Sequence, residues 1–182
     1  VLFRSNVEEM LCMFQNAKLF NSDLSSWDVS NVELIILMFA GAESFNSDLT
    51  SWDVRKANDL ASMFSGATSF NGDLSGWDVS NTEFMGGMFR NAVSFNQDIS
   101  GWDVGNALYM AEMFRGATSF NADISGWDVG KAQYMEEMFY GAAAFNQDLS
   151  GWNVSRFSEE PENFSTGAVS WDEDYRPRWG QP

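Results

Sequence analysis

The chain has 182 residues, with 26 Asp and Glu against 10 Lys and Arg, a net charge of −16, no His and one Cys. Phosphate backbones and anionic bilayers need clustered cations, so the charge argues against nucleic-acid and membrane-surface partners. Without His or a second Cys there is no Ser-His or Cys-His nucleophile, no usual zinc site and no intrachain disulfide, and no apolar run approaches the ~20 residues of a membrane span.

Along the chain the first feature is a repeat. Trp27, Trp52, Trp77, Trp102, Trp127 and Trp152 stand 25 residues apart. The same step links Phe14 to Phe139, and on to Phe164, and links Phe20 to Phe145 and Met13 to Met138. A fixed period of this kind means one structural unit per repeat, each stacked on its neighbours. The Trp positions are expected to form an inward core column.

Within one unit, Val7, Met10, Phe14 and Ala17 have the spacing of one helical face. Ser5, Ser30 and Ser80 each stand three residues before Glu8, Glu33 or Glu83, the capping-box spacing. These features predict a short helix ending near Asn16, Gly41, Gly66, Asn91, Gly116 and Gly141, where a left-handed residue is tolerated. An Asx-rich turn follows at Asn21 and Asp23, and the Asn21-to-Asn146 column is expected to form a hydrogen-bonded ladder. Leu24, Trp27, Val29 and Val32 then read L-x-x-W-x-V-x-x-V, the strand segment of a leucine-rich repeat. The predicted fold class is therefore α/β: a right-handed leucine-rich-repeat-like solenoid of 25-residue coils, each with one short strand and one short helix, the strands forming a parallel sheet. Cys12 is expected to be half-buried and inert.

The string M-F-x-x-A-x-x-F-N-x-D-[LI]-[ST]-x-W-[DN]-V carries a resemblance. It stands here as Met88-Phe89, Ala92, Phe95-Asn96-Gln97-Asp98-Ile99-Ser100 and Trp102-Asp103-Val104, with five further copies. It resembles the BspA-type leucine-rich repeat surface proteins, the DUF285 repeat. Pro177, Arg178, Trp179 and Gly180 are similar to that family's closing string, with Gln181 where a cysteine is often found. The resemblance implies a cell-surface or secreted location and a role in adhesion or recognition, and it implies no reaction.

The expected organisation is a solenoid of about six repeats over 1–152, its first coil truncated, and a C-terminal cap over 153–182. Leu2 stands where the period asks for Trp. In the cap, Phe164 keeps the Phe spacing, while Trp171 and Trp179 stand off the period as either aromatic cover or a binding surface.

Two acidic columns stand out. Asp23, Asp48, Asp73, Asp98, Asp123 and Asp148 form the first; Asp28, Asp53, Asp78, Asp103 and Asp128 form the second, ending in Asn153. Like charges one strand spacing apart repel, so each column needs compensation. The first is expected to accept turn amides. The second is placed by the strand period on a concave face. There it is either hydrogen-bonded to neighbouring Ser and backbone groups or a binding surface for a basic partner or a cation, with weak calcium at Asp53, Asp78 and Asp103. Every carboxylate recurs in the same environment, whereas catalysis needs two groups tuned apart, so no catalytic residue and no enzyme is expected. The expected function is a non-catalytic scaffold binding a protein or glycan at a cell surface. The alternative is a matrix element that self-associates, with or without calcium.

Overall fold

The computed structural model describes residues 7–181. Leu2, Ser5 and the last residue, Pro182, lie outside them. The 25-residue period becomes one coil of a continuous stack: 7–31, 32–56, 57–81, 82–106, 107–131 and 132–156, closed by 157–181.

The stack is held by backbone bonds from each coil to the next. Met10 N–H donates to Leu34 O (2.8 Å), Cys12 to Ile36 (2.9 Å), Phe14 to Met38 (2.9 Å) and Asn16 to Ala40 (2.6 Å). The pattern recurs at each following junction as far as Phe114 to Met138 (2.9 Å) and Gly116 to Tyr140 (2.7 Å). Intervening amides close three-residue turns within the coil, as Gln15 does onto Cys12 O (3.1 Å) and Ala17 onto Phe14 O (3.1 Å). Alternate amides therefore serve the neighbour and the rest serve the local turn.

This arrangement overturns the α/β fold class. Among the described residues the only helical element is a 3-10 turn at Glu173–Tyr175, and no sheet forms. Parallel pairing is reduced to isolated bridges along Glu9, Leu34, Asp59, Phe84, Tyr109 and Tyr134. The expected helix fails for two reasons. Its amides are spent on the next coil, and the backbone turns left-handed at Cys12, Leu37, Ser62, Gly87, Glu112 and Glu137 (φ 54° to 62°) and again four residues later. An α-helix cannot continue through such a residue, which costs roughly 1–2 kcal/mol in a non-glycine side chain. The expected strand fails too. Leu24 to Val32 is a run of turns, with Trp27 N–H on Leu24 O (3.0 Å) and Val32 N–H on Val29 O (2.9 Å). Cross-coil pairing thus lies where the helix was expected, and turns lie where the strand was expected. Cys12 is exposed, not half-buried.

The residues assigned to the core do fill it. Val32, Ile35, Phe39 and Ala42 are fully buried, so the apolar spacing marks the inner side of a chain of tight turns. Phe39 stacks on Phe45 in its own coil (3.9 Å between ring centres) and on Phe14 and Phe64 in its neighbours (5.6 and 5.7 Å). Trp52 through Trp152 are buried, while Trp27 in the first coil is half-buried. From Trp52 to Trp152 each indole N–H is satisfied across the junction: Trp102 Nε1 donates to Leu74 O at 3.0 Å and Trp127 Nε1 to Ile99 O at 3.1 Å. Outside the core, the Asn column is a continuous ladder, in which Asn96 N–H donates to Asn71 Oδ1 (2.9 Å) and Asn121 N–H to Asn96 Oδ1 (2.8 Å).

The closing coil departs from the period by one residue. Glu137 donates to Glu162 O and Phe139 to Phe164 O, one step further along than Glu112 to Glu136 and Phe114 to Met138. The left-handed pair now falls at Asn163 and Gly167 (φ 53° and 81°). One extra residue has therefore entered between 157 and 161. Phe164 leaves the Phe14 column for the Met13 column, against the sequence expectation, and meets Phe139 edge-on (77°). Trp171 takes the place of Phe20, stands edge-on to Phe145 (4.8 Å, 89°) and is buried. Asp172 takes the place of Asn21, its N–H on Asn146 Oδ1 (2.8 Å). Trp179 then packs edge-on against Phe157 and Phe164 (5.6 and 4.9 Å). Gly180 allows this: at φ 67°, a Cβ there would lie 2.6 Å from Ser158 O. No helix among the described residues is long and apolar enough to cross a membrane.

Candidate functional site

Both acidic columns sit in turns. In the first, every carboxylate accepts the amide two residues on, from Asp23 with Ser25 (2.8 Å) to Asp148 with Ser150 (3.0 Å). The second column does the same. Asp28 accepts Ser30 N–H (3.1 Å) and Oγ–H (2.6 Å), Asp78 accepts the same pair from Ser80, and Asp103 and Asp128 accept Gly105 and Gly130 N–H (3.0 Å each). Asp53 is ion-paired to Arg55 (2.6 Å). Asn153 ends the column with the same turn bond, from Ser155 N–H (3.3 Å). The regular element in both columns is thus an Asx turn, in which the carboxylate substitutes for a backbone acceptor.

At Asp23, Asp28, Asp53 and Asp78 the partners favour the ionised carboxylate. The turn amide of Ser25 draws Asp23 below the usual carboxylate range, and the Ser30 and Ser80 hydroxyls do the same for Asp28 and Asp78. The Arg55 side chain lowers Asp53. With no sheet there is no concave strand face for the second column to occupy. Nor do Asp53, Asp78 and Asp103 converge on a calcium position: among the described residues no three His, Cys, Asp or Glu side chains gather to hold a metal ion.

A different surface breaks the repeat. At the bridge column, Glu9, Leu34 and Asp59 give way to Phe84, Tyr109 and Tyr134. The three rings stack at 4.8 and 4.5 Å, and Tyr109 and Tyr134 remain 36% and 41% exposed. A side-chain hydrogen bond with Tyr134 raises the Tyr109 hydroxyl above its ordinary value. On the same coils Arg115 pairs with Glu137 and lies over Tyr140 (4.9 Å to the ring centre), while Arg90 pairs with Glu112 (3.1 Å). Sequence reading passed over this strip because it followed what recurs. The signal was a position that varies while its neighbours repeat.

The family model described as "Mycoplasma protein of unknown function, DUF285" matches residues 3–98 and 73–176. No curated protein and no solved structure matches the chain. The two family matches span most of the sequence and overlap within the repeat, and on that coverage the chain belongs to the DUF285 family.

Proposed function

We propose that this chain is a non-catalytic recognition module of a cell-surface or secreted protein, and that the strip Phe84, Tyr109 and Tyr134 docks a basic protein partner. The observation that carries the reading is the exposure of Tyr109 and Tyr134 on a stacked ladder, at a position that is Glu, Leu or Asp in the first three coils. Stacked rings are pre-ordered, so little side-chain entropy is lost on docking, and Tyr with Arg is the composition of interface hot spots. The net charge of −16 favours encounter with cations and raises the association rate of a basic partner. The surface location rests on the resemblance to surface proteins, and the absence of catalysis on the recurrence of the column carboxylates in one Asx-turn setting.

The test is selection of basic peptides from a displayed library against the chain, with counter-screening on Tyr109→Ser/Tyr134→Ser. Clones that bind the parent and lose the double variant support the reading. A library that yields only clones indifferent to both tyrosines overturns it.

A further inference from the structure

The aromatic strip starts in the middle of the stack, where an acid gives way to a ring. Phe84 has Tyr109 on one face (4.8 Å, 19°). On its other side the parallel bridge sets Asp59, and among the described residues no ring stacks on that face. Bridged residues on adjacent coils lie about 4.8 Å apart and project the same way. Asp59 is the shorter of the two, and its Oδ1 is turned back onto the Ala61 N–H (2.8 Å), so the Phe84 ring reaches out beyond the carboxylate. Leu60 is fully buried, while Asp59, Ala61 and Phe84 are half-buried and frame a corner at the surface. Asp59 also lacks a counter-charge. It belongs to none of the ion pairs among the described residues, and Arg55 and Lys56 close by in sequence are held by Asp53 (2.6 Å) and Asn31 Oδ1 (2.7 Å). Burial raises its carboxyl against the pull of the Ala61 amide, whereas the turn carboxylates, Asp73 among them, are lowered.

We infer that this corner seats one arginine side chain of the basic partner, with the guanidinium flat on the free face of Phe84 and donating to the Asp59 carboxylate. The inference rests on the partner reading above and names the side chain on which that docking turns. Two features select arginine. A guanidinium is planar, so it stacks on a ring and donates sideways in the same pose, which suits a ring face and a carboxylate meeting at an angle. It is also weakly hydrated, so it gives up less than a lysine ammonium in a half-buried place. The carboxylate gains in turn, because a partly desolvated charge without a partner is costly and an incoming cation offsets it. The next ring does not offer the same seat. Tyr109 lies between Phe84 and Tyr134 (4.8 and 4.5 Å) and shows only its edge and hydroxyl.

The experiment is NMR titration of the full chain with acetyl-arginine methylamide, acetyl-lysine methylamide and acetyl-citrulline methylamide, the last a neutral isostere of the first. The arginine probe shifts the Phe84 ring and the Asp59 and Ala61 amides together, and its side-chain protons give contacts to the Phe84 ring. Citrulline binds about fivefold or more weakly, with lysine between the two. Asp59→Asn, which removes the desolvated charge and so stays folded, weakens the arginine probe by about fivefold or more, as does Phe84→Leu. Asp73→Asn removes the same charge from an exposed turn and changes binding by less than about twofold. Citrulline binding as tightly as arginine, or equal losses from Asp59→Asn and Asp73→Asn, overturns the inference. Tyr109→Ser/Tyr134→Ser keeps the corner and keeps the probe, so the two readings fail separately. Selected clones that need both tyrosines yet bind Asp59→Asn as tightly as the parent overturn the arginine seat and leave the ladder standing. Clones indifferent to the tyrosines, with the probe still held at Phe84 and Asp59, remove the ladder and support the seat.

Discussion

The inner coils and the closing coil use the same positions for opposite ends. In the inner coils each position repeats, so Phe lies on Phe with planes nearly parallel, as in Phe89 on Phe114 (3°), and each coil offers its successor the surface it received. In the closing coil one inserted residue shifts the register, Trp171 replaces Phe, and the aromatic contacts turn edge-on. Parallel stacking invites another layer, whereas an edge-on ring covers the face below it and presents a different surface outward. The last described coil thus differs from the inner ones in ring orientation and register.

The largest expected effect contrasts the two regions directly. Trp102→Ala removes a buried indole bonded to Leu74 O and costs about 3–5 kcal/mol. Trp179→Ala, half-buried and touching the last coil only, costs about half as much. Denaturant midpoints measure both, and equal shifts would remove the distinction between inner coil and closure.

Glycine substitutions sharpen it in the other direction. Gly66→Ala meets only Gly41 at 3.6 Å, so its cost is the left-handed φ, about 1–2 kcal/mol. Gly180→Ala carries the same penalty and also drives a Cβ against a backbone carbonyl, so it destabilises more and frees Trp179. Tryptophan fluorescence and thermal melts follow the two variants. The ladder offers a smaller contrast: Asn96→Ala leaves Asn121 N–H without its acceptor and costs about 1 kcal/mol, read from the same melts.

The pH responses are smallest and differ in sign. Asp73 has its carboxyl lowered by the Ser75 amide, so its contribution is present above the unfolded pKa of ~3.9 and lost as pH falls through the folded value. Asp73→Ala is therefore less stable than the parent at pH 7, and the gap closes at low pH. Asp59 has its carboxyl raised by burial, so its favourable contribution belongs to pH below ~3.9 and is lost as pH rises. Asp59→Asn is more stable than the parent at pH 7, with the advantage vanishing in acid. Melts at pH 7 and pH 3 test both signs.

The sequence by itself determined the period, the composition of the core columns, the Asn ladder and the left-handed sites at Asn16, Gly41 and Asn91, because burial and φ leave direct marks on residue choice. It did not determine backbone conformation. The Val7, Met10, Phe14 and Ala17 spacing fits an α-helix and a run of tight turns equally well, since both bring every third or fourth residue to one side. Which one forms depends on where the amides find acceptors, and those acceptors lie on the next coil. The same holds for Leu24 to Val32, whose inward Trp27 and Val29 suit a strand but whose amides close turns instead. At the closing coil the residue count said that Phe164 stays in its column, and only the hydrogen-bond register across the junction showed the inserted residue. The exposed ladder of Tyr109 and Tyr134 likewise became visible only when stacking brought residues 25 apart into ring contact.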